Sequence, residues 1–212
     1  MELTTKGRFA NPDILLNNNP IIAQWDNWID KKQIKDIMSK QVEQVAYTQG
    51  KTKTDQGHVV TERRQCLNHI IGDNDRLCLT QLEGQAAKFL GAPSNHFEPG
   101  VLLKYEPGGY FQAHHDFNSQ VWEGQRSNRI ASLLLYLNDD YEGGTTSFPD
   151  LGVTTQPRRG RAVFWRYNYS GTVTNHLFRH SGDPVISGIK YAVCLFLRDQ
   201  PFVGKQRQRM SY

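Results

Sequence analysis

The C-terminal half of the chain has the pattern of a protein built from many short β-strands. From Phe97 onward, brief apolar, β-branched or aromatic runs alternate with glycine, asparagine, aspartate and proline. Eight short strands at this spacing predict a β-sandwich or a jelly roll. The predicted strands cover residues 101–105, 110–116, 129–137, 145–148, 162–166, 176–180, 184–186 and 191–198.

Residues 1–96 have a different pattern, which predicts a supporting region of helices and loops. Ile21–Trp25 is an apolar run of strand length. Asp30 is a suitable N-cap for a helix with near-3.6-residue apolar periodicity, and a second helix is predicted over residues 75–90. Residues 49–63 are polar and aperiodic, which predicts a surface loop that is either a plain connector or a lid over an active site.

Length and composition favour a single domain. The 212 residues can bury a sizeable core, and 38% hydrophobic with 22% charged residues is ordinary for a globular protein. We therefore predict one domain over residues 1–212, mainly β with N-terminal helices (α+β). It would comprise the support region 1–96, a jelly-roll core at 97–200 and a basic tail at 201–212.

Several other classes of protein are disfavoured. No apolar run approaches the ~20 residues of a membrane helix, and residues 1–12 lack a signal-peptide core, which predicts a cytoplasmic protein without membrane association. Cys66, Cys78 and Cys194 are odd in number and lack CxxC spacing, so they indicate neither a disulfide framework nor a zinc site. The net charge of +4 permits an acidic partner without requiring nucleic acid.

Residues 105–117, YEPGGYFQAHHDF, contain the first candidate metal ligands. Side chains of a strand alternate between faces, so His114 and Asp116 would share one face and His115 would point away. An imidazole and a carboxylate together are two thirds of the 2-His-1-carboxylate site that binds non-haem Fe(II). For the tripeptide alone, a polar turn without metal is the better interpretation.

A third ligand would have to come from a strand that is distant in sequence. His180 follows a β-like run and precedes a turn, and His176 is the second candidate, although a lone strand histidine is more often structural. Lys190 enters the apolar strand after it, where a buried ammonium needs an anionic partner unless it reaches solvent. Gly143-Gly144 predicts a tight bend, which an ordinary hairpin would also contain.

Taken together, these segments resemble the 2-oxoglutarate/Fe(II)-dependent oxygenases, and within them the prolyl 4-hydroxylase-like branch. The resemblance extends from Asn19 to Arg198 in the family's order. The segments that carry it are NPIIAQWDNWID, LLKYEPGGYFQAHHDF, NRIASLLLYLND, YEGGTTSFPDLGVTTQPRRGRAVFW and HSGDPVISGIKYAV.

The resemblance implies a double-stranded β-helix (jelly-roll) core with N-terminal helices packed on it. It also implies roles for individual residues. The catalytic iron ligands would be His114, Asp116 and His180; the 2-oxoglutarate contacts would be Lys190, Tyr105 and Thr146; the substrate side would include Arg129, Phe111, Tyr110 and Arg64, or Arg63 in place of Arg64.

Three departures from the family's pattern concern the substrate surface. Phe111 stands where relatives often carry a substrate-contacting tyrosine, with Tyr110 beside it. Tyr191 and Phe196 stand where tryptophans are frequent, and Thr145 replaces a frequent acidic residue. The iron and 2-oxoglutarate sites are therefore expected to be intact, while the prime substrate is less constrained.

The implied activity is that of a dioxygenase of the procollagen-proline 4-dioxygenase type. It would use Fe(2+), 2-oxoglutarate and O2, with ascorbate as a reductant, to hydroxylate a Pro-containing peptide or protein and release succinate and CO2. The alternatives are hydroxylation of another side chain, a free amino acid or a nucleobase, or a non-catalytic cupin-like binding protein. Nucleic acid is disfavoured because Lys190 stands where repair oxygenases carry an arginine-rich motif.

Overall fold

Short antiparallel strands dominate this protein, whose computed structural model describes residues 12–18, 20–42, 44–54, 57–71, 77–117, 119–122, 125–166 and 176–202. Two α-helices accompany them, α1 (Lys31–Ile37) and α2 (Leu77–Leu90). The π-helix Met38–Val42 follows α1 directly, and the 3-10 turns are Ser94–His96, Pro149–Leu151 and His176–Phe178.

The strands form two main sheets and two small two-stranded ribbons. The strands are β1 (Ile14–Asn18), β2 (Ile21–Trp25), β3 (Thr48–Gln49), β4 (Thr52–Thr54), β5 (Gly57–Val59), β6 (Arg64–Gln65), β7 (Leu67–Ile70), β8 (Val101–Tyr105), β9 (Tyr110–His114), β10 (Ser119–Trp122), β11 (Gln125–Tyr136), β12 (Glu142–Gly143), β13 (Thr146–Phe148), β14 (Val153–Thr155), β15 (Ala162–Arg166), β16 (His180–Gly182), β17 (Val185–Ser187) and β18 (Lys190–Arg198).

The larger sheet runs β1-β2-β15-β11-β18-β8-β7-β3, and β10 pairs with β11 outside this path. Its central strands are buried on both faces, which explains their nearly continuous apolar sequences. On β11, Leu133 and Leu135 belong to the core on the outer face, whereas Leu134 and Tyr136 belong to the core on the inner face. The two-residue period of a strand thus divides the apolar residues between two cores.

The smaller sheet runs β14-β13-β16-β9-β6 and faces the inner side of the larger one. Phe148 of the smaller sheet and Val185 of the β12–β17 ribbon share a core cluster with residues of β11 and β18, so the two sheets enclose a jelly-roll core. Within the smaller sheet, β16 pairs with β9 so that His180 lies opposite His114. This register brings together two histidines that are far apart in sequence.

The helices cover the outer face of the larger sheet. Helix α1 begins with a capping box in which Gln33 N donates to Asp30 Oδ1 (2.7 Å) and Asp30 N donates to Gln33 Oε1 (3.2 Å). Ile34 of α1 and Leu82 of α2 are buried in the outer core together with strand residues. The helices therefore support the sheet from the side away from the smaller sheet.

The predicted fold class is confirmed, because two packed sheets of short strands form a jelly-roll core with the helices on the outer face of the larger sheet. Some boundaries differ from the predictions. The strand predicted at 110–116 ends at His114, and the segment 176–180 is a 3-10 turn followed by Arg179 and the first residue of β16. The first predicted helix changes to a π-helix at Met38, and residues 75–76 lie outside the described part of the second.

The predicted loop at residues 49–63 is partly ordered as strands. β4 and β5 pair as an antiparallel hairpin, with Thr52 opposite Val59. Threonine and valine favour strand pairing, but the segment as a whole is polar and aperiodic, and its sequence therefore predicted a loop. The function of the segment as a lid stays a prediction. The single-domain division also stays a prediction, and residues 203–212 of its basic tail lie outside the described residues.

Candidate active site

His114, Asp116 and His180 form a compact cluster at the mouth of the jelly roll. One ligand atom from each lies within 4.8 Å of the others. His114 Nε2 is 3.4 Å from Asp116 Oδ1, and His180 Nε2 is 3.3 Å from Asp116 Oδ2. The end of β9, the residues after it and the start of β16 supply the three side chains, so the β9–β16 pairing creates the cluster.

Backbone contacts orient both imidazoles. The carbonyl of Gln112 is 2.8 Å from His114 Nδ1, and that of Phe178 is 3.1 Å from His180 Nδ1. Because a carbonyl only accepts hydrogen bonds, each Nδ1 carries the proton and donates. With Nδ1 engaged by a backbone carbonyl, Nε2 of each ring points to the centre of the cluster and is the nitrogen available to a metal.

Asp116 is buried and is oriented by two neighbours. Ser132 Oγ donates to Asp116 Oδ2 (2.8 Å), and Arg129 Nη1 donates to the Asp116 carbonyl (3.3 Å). Burial alone would raise the pKa of Asp116, but His180 and His114 hold it well below its usual range. The carboxylate is thus ionised and fixed in place.

The donor set fits Fe(II). Two imidazole nitrogens and one carboxylate on one side of a centre are the facial arrangement used for this ion, with the remaining positions open to other ligands. The open side faces a cavity of about 780 Å³, and all three residues line it. His115 was expected to point away from His114 and Asp116; it is not part of the cluster, but it lines the same cavity.

Lys190 lies at the inner end of this cavity and does not reach solvent. The residue is 2% exposed, which excludes the solvent-reaching alternative. Its Nζ donates to the Gly144 carbonyl (2.7 Å) and lies 4.9 Å and 5.2 Å from the ring centroids of Tyr105 and Tyr136. Burial lowers the pKa of Lys190 to about 8. An ammonium held in this way is suited to an incoming anion.

Hydroxyl groups and a glycine bend complete this end of the cavity. Tyr105 and Thr146 are buried and line it, and Thr146 Oγ1 is 2.7 Å from the hydroxyl of Tyr136. Gly144 has a φ of +61°, and a Cβ there would lie 2.8 Å from the Tyr141 ring and 3.2 Å from Lys190 Cδ. Only glycine therefore allows its carbonyl to accept from Lys190 without strain.

Arg129 lines the cavity, but its guanidinium is engaged by neighbouring groups. Its Nε and Nη2 donate to the two carboxylate oxygens of Glu98 (2.6 Å and 2.7 Å), and the group lies 3.6 Å from the Phe196 ring centroid. Glu98 also accepts from Arg198 Nε (2.7 Å). The structure therefore places Arg129 on the cavity wall, with a guanidinium held by Glu98.

Some of the remaining predicted substrate residues line the cavity, and one does not. Phe111 and Arg64 line the cavity, with the Arg64 guanidinium 4.6 Å from the Phe111 ring centroid. Tyr110 points to the other face of β9 and does not line the cavity; its hydroxyl donates to the Glu62 carbonyl (2.7 Å). The structure does not bring Tyr110 to the cavity, because neighbours on a strand face opposite sides.

Several residues that contact the cluster or its neighbours in the cavity wall were not predicted from the sequence. Ser132 is a polar residue interrupting the apolar run of β11, and this interruption is a usable signal. Trp165, interpreted as a core residue, is buried and also packs on His180 with 4.7 Å between ring centroids. Glu98 and Tyr136 have no local signal, because their partners lie on other elements.

Two histidines and one carboxylate at the mouth of a jelly roll are the donor set of a class of non-haem iron sites. The buried ammonium of Lys190 lies in the same cavity. Residues 100–198, slightly less than half of the chain, match the model of the 2OG-Fe(II) oxygenase superfamily. The predicted resemblance is confirmed, as are Fe(II) and 2-oxoglutarate as its cofactors.

Prolyl hydroxylases are among the similar proteins. Prolyl 4-hydroxylase 1 of Arabidopsis thaliana is 31% identical over 134 residues, which are 56% of this chain and 47% of that protein. The chain thus spans about half the length of this relative.

Two solved structures share the fold. A viral collagen prolyl hydroxylase from Paramecium bursaria Chlorella virus-1, solved as a 2OG complex, has a TM-score of 0.65 at 19% identity, covering 84% of this chain and 95% of that one. A prolyl hydroxylase from Trichoplax adhaerens, in complex with a hypoxia inducible factor peptide fragment, has a TM-score of 0.64 at 14% identity, covering 93% and 89%.

The described helices include none with the length and apolar character required to cross a bilayer.

Proposed function

We propose that this chain is a 2-oxoglutarate- and Fe(II)-dependent dioxygenase that hydroxylates prolyl residues in a peptide or protein. The observation that carries the proposal is the presence, in one cavity, of the His114–Asp116–His180 cluster and the buried ammonium of Lys190. Similarity to prolyl 4-hydroxylases supports the prolyl substrate.

Each group has a role that its position supports. His114, Asp116 and His180 would hold Fe(II), and Lys190 would pair with the far carboxylate of 2-oxoglutarate. When bound, these cofactors supply the oxidative decarboxylation of 2-oxoglutarate to succinate and CO2 that activates O2 for hydroxylation of a C–H bond. Tyr105 and Thr146 would donate hydrogen bonds to the same carboxylate.

Apolar side chains beside the cluster would keep water away from the reacting groups. Trp165 and Phe148 pack around His180, with ring centroids 4.7 Å and 5.8 Å from its imidazole. This apolar packing excludes water from one side of the cluster. Ascorbate as reductant and a cytoplasmic location are part of the same proposal, on the basis of the family resemblance and the sequence.

The test is turnover of Pro-containing peptides by the Fe(II)-loaded chain. We expect succinate release coupled to a mass increase of one oxygen atom on proline, and loss of both products in Asp116→Ala and Lys190→Met. Hydroxylation of another residue or of a nucleobase would replace the prolyl assignment. Unchanged succinate release in Asp116→Ala would refute the site itself, and no turnover with any substrate pool would favour a cupin-like binding protein.

A further inference from the structure

The walls of the cavity carry a marked excess of positive charge. Among the described residues that line it, one is acidic, and this is the predicted ligand Asp116. The basic residues that line the same cavity are Lys51, Arg63, Arg64, Arg129, Arg179 and Lys190.

Three of these six side chains already have a partner or a role. Lys190 lies in the position proposed for 2-oxoglutarate, and Arg129 is paired with Glu98. Arg179 forms a two-bond pair with Asp150, through Nε at 3.0 Å and Nη2 at 2.9 Å. Arg129 and Arg179 are thus paired with carboxylates and Lys190 is assigned to 2-oxoglutarate, so none of the three calls for a charged peptide.

The other three, which we call the basic rim, are Lys51, Arg63 and Arg64. Within the described part of the chain, no carboxylate lies within 4.0 Å of their charged groups. Arg64 donates its hydrogen bonds to uncharged groups, from Nε to Cys66 Sγ (3.0 Å) and from Nη1 to the Lys51 carbonyl (3.1 Å). The basic rim is therefore a concentration of positive charge on one wall, with no ion-paired carboxylate among the described residues.

The basic rim lies directly beside the predicted metal centre. Arg64 pairs with Phe111 across the β6–β9 ladder, and its guanidinium lies over the Phe111 ring. That ring in turn stacks on the imidazole of His114, with 3.5 Å between centroids. Lys51 and Arg63 are exposed and line the same cavity as Arg64. A chain bound at the cluster would thus have its neighbouring residues against the rim.

We propose that the preferred substrate is an acidic peptide, with aspartate or glutamate next to the hydroxylated residue and bound by the basic rim. This inference rests on the proposed function and names its substrate class. Carboxylates match the planar donor fork of arginine, and the net charge of +4 attracts an acidic chain at long range. A nucleic acid fits less well, because Arg64 and His114 cover the two faces of the Phe111 ring that a base would need for stacking.

The experiment compares three peptides of equal length around one central proline, flanked by glutamate, glutamine or lysine. The Fe(II)-loaded full chain is assayed for proline hydroxylation, and binding is measured separately by anisotropy of the labelled peptides with 2-oxoglutarate present. We expect KM to rise about two- to fivefold for each glutamate that glutamine replaces, and the lysine peptide to be the poorest. The preference should weaken with added salt.

A pair of matched variants separates the effect of the basic rim from the effect of the net charge of the chain. Lys51→Gln with Arg63→Gln removes two charges at the rim, and Lys31→Gln with Lys32→Gln removes two exposed charges on α1. The rim variant should lose the preference for the acidic peptide, measured as the ratio of kcat/KM for the acidic peptide to kcat/KM for the neutral one, while the α1 variant keeps this ratio. Equal use of acidic and neutral peptides, or an equal drop in preference in the two variants, overturns the inference and leaves prolyl hydroxylation standing.

Two further outcomes would show whether the proposed reaction or the choice of a peptide substrate is wrong. Rim-dependent binding of the acidic peptide without proline hydroxylation would support the rim and refute the proposed reaction. A single-stranded oligonucleotide that displaces the acidic peptide at equal concentration, and no longer does so in the rim variant, would overturn the choice of a peptide.

Discussion

The Phe111 ring lies flat against the imidazole of His114, with 3.5 Å between their centroids and 17° between their planes. The Arg64 guanidinium lies 4.6 Å from the Phe111 centroid, so a charged group and two rings form a continuous stack that ends at a predicted metal ligand. The stack and the hydrogen bond from Nδ1 together determine the direction in which His114 Nε2 points. Phe111 is therefore a positioning residue for His114.

This stacking predicts that Phe111→Ala weakens metal binding. Removing a group that orients a ligand typically lowers metal affinity by about 10-fold or more, and we expect the lower end because the backbone hydrogen bond of His114 remains. Co(II) titration followed by its visible absorption measures the change. Phe111→Tyr keeps the ring and serves as the matched control. An affinity in Phe111→Ala equal to that of the unmodified chain would show that the stack has no positioning role.

Ser132 provides a second test of ligand positioning. Its hydroxyl donates to Asp116 Oδ2, and a hydrogen bond to a charged group contributes about 1.5–3 kcal/mol. Ser132→Ala should lower Co(II) affinity by roughly 10-fold or more with little change in KM for the peptide. Ser39→Ala, which removes an exposed hydroxyl of the π-helix, is the control and should bind Co(II) normally. A drop in peptide affinity alone in Ser132→Ala would contradict the assignment.

The buried Lys190 predicts that 2-oxoglutarate affinity falls as the pH rises. Burial lowers the pKa of its ammonium to about 8, so the charged form that pairs with a carboxylate is present below this pH and disappears above it. A bound anion favours the charged form, and the affinity should therefore fall by about 10-fold per pH unit above 8. Calorimetric titration of the Mn(II)-loaded chain between about pH 7 and 9.5 measures this dependence.

The control for this dependence is Lys190→Met, which should bind 2-oxoglutarate weakly and with a flat profile above neutral pH. An unmodified chain whose 2-oxoglutarate affinity stays constant across the same range would contradict the role of Lys190.

Glu98 should be important for stability because it compensates two arginines. Arg198 is fully buried, and Arg129 is engaged in two hydrogen bonds to the same carboxylate. Glu98→Ala leaves both guanidinium groups without this counter-charge, which should reduce the free energy of unfolding by about 3–5 kcal/mol. Urea denaturation at neutral pH measures the decrease. Asp150→Ala, which frees the half-exposed Arg179, should cost at most about 1 kcal/mol.

The pH dependence of this network has a definite sign. Burial alone would raise the pKa of Glu98, but Arg129 and Arg198 bring it below its usual value. A carboxyl with a lowered folded-state pKa contributes stability above its unfolded pKa and loses it as the pH falls through the folded-state value. The difference in unfolding free energy between the unmodified chain and Glu98→Ala should therefore be full at neutral pH and shrink under acid conditions.

Patterns within single strands account for the parts of the site that were predicted. His114 and Asp116 could be named as candidate ligands from residue type and spacing, whereas the choice of His180 over His176 depended on Lys190 ten residues further on and on the family resemblance. Lys190 could be named as a cation that needs an anionic partner unless it reaches solvent. Strand alternation also places Ser132, Leu134 and Tyr136 on one face of β11. It equally predicts that Phe111 and Tyr110 diverge, although both were expected on the substrate side.

The amino-acid sequence by itself predicted the strand-rich core and the candidate ligands His114 and Asp116, since these depend on residue type and on a two-residue period. The burial of Lys190, which the sequence left open, is a property of the folded chain. Only the tertiary structure decided that Phe111 stacks on His114, that Glu98 holds Arg129, and that the basic rim faces the cavity. The last two of these relationships join elements that are far apart in the chain. Their geometry follows from strand register and sheet packing, which local periodicity does not specify.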